Sequence, residues 1–309
     1  VAVLSGGLAA IGVPGGGPGA EDAAGLRRGI LAALVASVVF AAMYLLIKGI
    51  GPDLPPAQVV FFRSLFALVP LLPWLLRHGP RGLATRHPAR HLLRGLVGLC
   101  SMGAFFWALT RMPLADFMVL SFSMPIFLTL LSWPLLGESV GWRRGLAVLV
   151  GFAGVLLVLR PGGETAPLPY IVGVCGALLY ALAMVFVRQL GRTEAGPVVV
   201  FYYCLAGVLV GGVAMTFVWV DPTPQQWLLL IGAGVVGGVG QLLITAAYRN
   251  APAVIVAIFD YLQLIWALLF GWFIWQEIPG PWVGGGAVLV VGSGLFIIWR
   301  EAVRRRGPG

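Results

Sequence analysis

Arg111-Met112-Pro113-Leu114-Ala115-Asp116 opens an apolar run that passes Trp133 and closes on Gly137-Glu138. Asn250-Ala251-Pro252-Ala253 opens a second run that passes Trp272 and closes on Gln276-Glu277. Asn250 stands 139 positions after Arg111, and the same displacement relates the rest of the two stretches. Just beyond them the displacement becomes 140: Trp142 answers Trp282, Ala147 to Val150 answer Ala287 to Val290, Gly154 answers Gly294 and Arg160 answers Arg300. The chain nearer its start behaves alike. Phe40, Ala41, Lys48 and Gly51 find Tyr180, Ala181, Arg188 and Gly191 at the same 140-residue offset. Chance produces one such match, not a series at a nearly constant offset, so the chain contains an internal repeat.

The repeated unit is a set of membrane helices. Of the 309 residues 60% are hydrophobic and 10% charged, with mean hydropathy +0.97. Soluble domains carry about 25% charged residues, and a globule with so few could not cover its surface. Apolar runs of about 18 residues or more read as membrane spans. Ten are expected, near 29–48, 57–76, 92–110, 114–136, 143–160, 168–188, 197–219, 226–248, 252–275 and 281–299. Turn-rich or charged breaks separate them, among them Gly51-Pro52-Asp53, Pro161-Gly162-Gly163, Gly191-Arg192 and Asp221-Pro222. The expected fold is an all-α integral membrane protein of two five-helix repeats, 29–160 and 168–300. A flexible cytoplasmic tail, 1–28, precedes them and a short basic tail, 301–309, follows. Five is odd, so the halves enter the membrane from opposite sides. Such an inverted-topology repeat predicts a pseudo-two-fold axis in the membrane plane, with a binding site between the halves near the midplane.

Charge sets the orientation. With both termini in the cytoplasm, sixteen arginines, Arg94 and the Arg77–Arg90 cluster among them, fall on the inner side. Only Lys48, Arg111 and Arg160 fall outside, and Arg63 lies within a span. This is the positive-inside pattern, which accounts for the net charge of +9 without nucleic acid. The preference for Arg over Lys, with much Gly and Ala, fits a GC-rich bacterial genome and an inner membrane. Cys100, Cys175 and Cys204 sit inside apolar runs and are expected to pack rather than to form disulfides. With Lys48 the sole lysine there is no phosphate-loop motif, hence no ATP-driven pump. His78, His87 and His91 share one loop with no acid or cysteine beside them, so neither a metal nor any other cofactor is expected. No nucleophile–base pair marks an enzyme.

The two blocks, Trp107-Ala108-Leu109 through Met112-Pro113-Leu114-Ala115-Asp116, Pro125 and Gly137-Glu138, and Ala246-Ala247-Tyr248 through Ala251-Pro252-Ala253 and Glu277, resemble the drug/metabolite transporter superfamily in its ten-span EamA-type branch. The similarity covers about 29–300. It implies secondary transport of small organic solutes, a range that includes amino acids, vitamins, nucleotide-like metabolites and drugs. Leu264 stands where Pro125 does, so the sequence gives no reason to expect equal kinks in the two halves.

Ionisable groups inside spans are expensive and by default functional. Arg63 lies in the second span. Asp260 lies about eight residues into the ninth, or roughly 12 Å along a helix at 1.5 Å per residue. Each either lines a solute cavity or belongs to a structural ion pair, the two together being one option. Asp260 is also the candidate carrier of a coupling proton. Ser121 is its repeat counterpart, so both halves place a polar group at one depth. Gln241, Gln263, Tyr44, Tyr180 and Tyr261 supply further polar groups at depth, and Phe40 and Trp107 aromatic walls, in keeping with an apolar pocket holding a few polar groups. Asp116 reads as a helix-dipole acid, and Glu138 and Glu277 as helix-end acids bonding to the next span. The glycines of the third and eighth spans predict close helix contact or hinges.

The expected function is alternating-access secondary transport of a small polar or zwitterionic solute, an amino acid or a molecule like S-adenosylmethionine. Alternatives are uptake of a planar vitamin such as riboflavin, a channel, or a non-transporting membrane scaffold. The expected partners are the solute, the bilayer and protons, with no nucleic acid, and the protein acts as a monomer or a dimer.

Overall fold

The computed structural model describes residues 20–136, 141–160, 167–190, 194–251 and 253–306. Glu138, the turns at 161–163 and 191–192, and the first nineteen residues lie outside them. Every regular element among the described residues is helical: α1 (Ala20–Ile50), α2 (Pro56–Phe66), α3 (Leu72–His78), α4 (Pro88–Leu109), α5 (Leu114–Ser121), α6 (Met124–Leu136), α7 (Trp142–Leu159), α8 (Pro167–Leu190), α9 (Gly196–Met215), α10 (Pro224–Asn250), α11 (Ala253–Asp260), α12 (Leu262–Trp275) and α13 (Pro281–Arg306), with short 3-10 turns at Val69–Leu71 and Pro80–Leu83. Ten segments are long and apolar enough to cross a membrane. This is a multi-pass membrane protein.

Proline starts most of these helices for a simple reason. A first-turn residue has no intrahelical acceptor for its N–H, so proline loses nothing there. Pro56, Pro88, Pro167, Pro197, Pro224 and Pro281 all occupy first or second helical positions. Thr223 adds a capping box: its Oγ1 accepts from the Gln226 N–H at 3.2 Å, while Gln226 Oε1 accepts from the Thr223 N–H at 2.9 Å.

Three boundaries differ from the sequence reading. The seventh span ends at Met215 rather than 219, and Trp219 turns its indole N–H onto Asp221 at 2.8 Å. The chain past 300 is no loose tail, since α13 continues to Arg306. Likewise α1 begins at Ala20, inside the expected N-terminal tail. Alanine-rich and arginine-rich stretches are good helix formers, and no proline falls within 20–28 or 301–306.

The fourth and ninth spans are both interrupted, and at matching places. The break after Ser121 falls at Phe122-Ser123, and the break after Asp260 falls at Tyr261, the 139-residue counterpart of Phe122. The two rings meet, with centroids 4.7 Å apart. Pro125 is therefore not needed for the kink. Tyr261 packs on Gly294, where any Cβ would collide with its hydroxyl, and Leu264 rather than proline follows the second break.

Helix packing respects the repeat. α1 lies along α10, and its counterpart α8 lies along α4. α1 touches α11 and α12, as α8 touches α5 and α6. The pairs α2 with α9 and α7 with α13 are their own counterparts. Glycine makes the closest approaches. A Cβ on Gly154 would lie 2.9 Å from the Gly286 carbonyl oxygen, and one on Gly238 would lie 2.8 Å from that of Ala67. The eighth span is thus packed tightly by its glycines, as expected. In the third span Gly95 and Gly98 do the same against α9, while Gly103 meets nothing. Of the cysteines, all three free, only Cys204 is buried; Cys100 and Cys175 face outward.

Candidate functional site

A cavity of about 960 Å³ opens between the halves. Nine of the ten residues singled out from sequence line it: Phe40, Tyr44 and Arg63 from α1 and α2, Ser121 and Tyr180 from α5 and α8, Gln241 from α10, and Asp260, Tyr261 and Gln263 around the second break. Trp107 is not among the lining residues. It lies near the end of α4, where the Arg111 guanidinium covers its ring at 4.4 Å and donates to its carbonyl oxygen at 3.0 Å.

The broken helices set the polar groups. At each break the chain leaves regular α-geometry, which membrane-depth backbone tolerates only where it is buried in protein or lines a cavity. Ser121 turns its hydroxyl back on the Met118 carbonyl oxygen at 2.8 Å. Asp260 instead accepts from the Gln263 side-chain amide across the break. It has no cation partner: among the described residues the ion pair found is that of Lys48 with Glu277. Arg63 and Asp260 are therefore both in the cavity and not bonded to one another. Arg63 is 8% exposed, its Nη2 reaches only the Met43 sulfur at 3.9 Å, and its Nε has no partner. A Cβ at Gly237 would come within 3.3 Å of that guanidinium, so glycine on α10 makes the room for it.

Aromatic rings form the walls. Phe117 sits behind Tyr44 at 5.3 Å, and Phe105 joins Phe117 to Tyr180 at 5.3 and 6.2 Å. Phe40 lies against the bare backbone of Gly240.

Sequence reasoning missed two charged lining residues. Arg94 was counted with the cytoplasmic arginines but lies two turns inside α4, 7% exposed, with its guanidinium 3.9 Å above the Tyr203 ring. Glu194 stands at the mouth and accepts from the Thr85 hydroxyl at 2.7 Å. A charge two turns from a basic loop looks, in sequence, like one more topology signal. The helical register, which brings Arg94 beside Tyr203, is the signal that separates them.

The cavity reaches Glu194, Trp74 and Ala246 at the end of the bundle that carries both chain termini. The other end is tied shut. Lys48 Nζ pairs with Glu277 and donates to the Met112 carbonyl oxygen at 3.1 Å. The second Glu277 oxygen accepts from the Leu114 N–H at 3.0 Å. Glu277 thus bonds to the first and fourth spans, not to the next span as expected. Gln58 exchanges two hydrogen bonds with the Val220 backbone, and Gln226 donates to the Ile50 carbonyl oxygen. Asp116 belongs to this end too. It is buried and accepts from the Tyr170 hydroxyl at 2.7 Å, a side-chain partner rather than the helix dipole alone. Glu277→Ala would leave Lys48, only 9% exposed, without its carboxylate. The expected cost is about 3 kcal/mol, read as earlier melting of the purified protein. An unchanged melting temperature would show the pair to be dispensable.

Ten apolar helices with a cavity between them that holds a few polar groups have the form of a membrane protein with a small-molecule site. The chain belongs to the EamA-like transporter family, whose model matches residues 27–160 and again 167–299. It is a small-molecule transporter of that family. It is 32% identical to the pseudopaline exporter of Pseudomonas aeruginosa, over 86% of this chain and 94% of that one. It is 30% identical to the S-adenosylmethionine uptake transporter of Rickettsia bellii, over 82% and 87%. It is also 30% identical to the riboflavin transporter of Rhizobium johnstonii, over 82% and 84%. A protein crystal structure 21% identical in sequence shares the fold with a TM-score of 0.59, over 93% of this chain and 99% of that one.

Proposed function

We propose that this protein is a secondary transporter of a small zwitterionic organic solute, an amino acid or a larger metabolite bearing both charges, moved across the bacterial inner membrane by alternating access. The observation that carries this reading is Arg63 and Asp260 in one cavity without being paired to each other. Unpaired opposite charges are costly in an empty site, and a solute bearing an acid and an amine satisfies both. The matched packing of the halves supports an inverted repeat, and an inverted repeat can exchange two mirror conformations around one site. With both termini cytoplasmic, as the arginine bias indicates, the open mouth faces inward and the Lys48–Glu277 end faces outward. The relatives named for pseudopaline and S-adenosylmethionine favour this class; the one named for riboflavin keeps a planar vitamin as the second reading.

Uptake by proteoliposomes of radiolabelled amino acids, S-adenosylmethionine and riboflavin tests the assignment. Saturable uptake of a zwitterion, with reporter fusions placing both termini inside, is the expected result. Uptake of riboflavin alone would replace the first reading with the second. A terminus outside would overturn the orientation.

A further inference from the structure

The charges that line the cavity match in number but are not paired with one another. Arg63 and Arg94 both line it, both more than nine-tenths buried, and they come from different helices, α2 and α4. The remaining charged lining residues are Asp260 and Glu194. Asp260 bonds to Gln263, and Glu194 is at the mouth, held by Thr85. Neither acid forms an ion pair with either arginine. Arg94 has its Nε and Nη1 without hydrogen-bond partners, and Arg63 its Nε. The Arg94 guanidinium carbon lies 3.9 Å over the Tyr203 ring, whose own hydroxyl is engaged with the Gly98 carbonyl oxygen at 3.3 Å. Glycine at 98 leaves space for this arrangement, since a Cβ there would strike Arg94 Nη1. Buried N–H donors are normally satisfied, and a guanidinium is shaped to meet a planar oxyanion.

We propose that the transported solute carries two separate carboxylates beside its amine, one received by Arg63 and the other by Arg94 on its Tyr203 platform. Two carboxylates and one ammonium neutralise two deep arginines and one deep aspartate. This deepens the zwitterion reading and rests on it. Arg94 then sets specificity: it selects amino-dicarboxylates over simple amino acids.

The test uses matched compounds that differ by one carboxylate, added to the purified full chain while its melting is followed. L-Norvaline is compared with L-glutamate, and N-ethyl-L-phenylalanine with N-(carboxymethyl)-L-phenylalanine. O-Phospho-L-serine and riboflavin are run beside them. The diacid of each pair should stabilise at a roughly tenfold lower concentration or better, the size of one charge-assisted pair. Arg94→Gln should erase that advantage and leave the response to mono-acids. Arg94→Lys should restore part of it. If Arg94→Gln does not fold, the reduced diacid preference of Arg94→Lys, relative to wild type, carries the test. Equal responses within each pair, or a preference intact in the folded variants, would overturn the second carboxylate while leaving the zwitterion reading in place. A response to phosphoserine and to no diacid would overturn the carboxylate assignment in favour of phosphate. Stabilisation by riboflavin alone would remove both readings.

Discussion

Arg63→Ala is expected to abolish transport while the protein still inserts and folds. Arg63 is buried in the cavity wall, and its neighbours there are the Met43 sulfur and the glycine backbone of α10. No acid depends on it, so its removal strands no buried charge. The usual large penalty for breaking a buried ion pair, about 3–5 kcal/mol, therefore does not arise. On the proposed reading, what goes is the anion receptor of the site. Losing a charged hydrogen-bonding group that meets the solute costs about 1.5–3 kcal/mol, or roughly tenfold to a hundredfold in binding. Transport falls further if the same contact stabilises the closed state. Arg63→Lys should recover part of the flux, since an ammonium keeps the charge but not the fork. The measurements are initial uptake rate in proteoliposomes and melting temperature of the same preparations. Normal uptake by Arg63→Ala would remove Arg63 from the site. Loss of folding would restore the structural role that the absence of an acid partner argues against.

Much of this was readable because membrane solvation makes composition speak loudly. A lipid-exposed helix must be apolar along its full length, so ten spans stand out, and apart from the longer first and last helices the described helices begin and end within a few residues of the expected places. The repeat was readable for a different reason. Loop punctuation such as Met112-Pro113 and Ala251-Pro252 marks helix starts, and two copies at one offset fix the correspondence. What composition could not give was the interruption at Tyr261. Proline signals a kink through its missing N–H, whereas Tyr261 stands at a break without a matching proline and packs on Gly294, a contact between residues far apart in sequence.

The cavity residues divide in the same way. Arg63 and Asp260 were conspicuous because charge inside a span is rare. Ser121 stood out as a polar group at depth and as the repeat counterpart of Asp260. Trp107 was misplaced because aromatic character says nothing about which face of α4 it occupies, and its partner Arg111 lies past the helix end. Arg94 was overlooked for the opposite reason. Positive charge near a cytoplasmic helix end is so common that it masked a buried guanidinium on the cavity side. The Glu277 latch was half legible: its position at a helix end was clear, while its bonds to Lys48 and Leu114 depend on how the first, fourth and ninth spans converge.

Asp260→Asn is expected to separate coupling from exchange. Asp260 sits at the break of the ninth span, on the cavity wall, held by the Gln263 amide and by no cation. An asparagine keeps an oxygen for that amide, so the local bond survives and no arginine or lysine is left alone. The variant should therefore express and melt close to the wild type, within about 1 kcal/mol. A group that gains and loses a proton must be reached from the mouth, and its surroundings must tolerate both forms. A cavity wall with a neutral donor, rather than a fixed cation, meets that need, whereas a cation would hold the carboxylate charged on both sides of the membrane. Asp260→Asn removes the proton site and keeps the shape. Exchange of labelled for unlabelled solute across the vesicle membrane should continue in the variant, at a higher half-saturating concentration because the solute's amine keeps an oxygen but loses its charge partner. Acceleration of net uptake by an imposed pH gradient should vanish, which in a coupled carrier amounts to at least a tenfold change in initial rate, or about 1.4 kcal/mol. The two assays belong on one preparation, with melting measured alongside. A variant that melts much earlier would point to a structural partner for the carboxylate. A stable variant with undiminished gradient-driven uptake would leave Asp260 as a polar residue facing water, and the proton would have to be carried elsewhere or not at all.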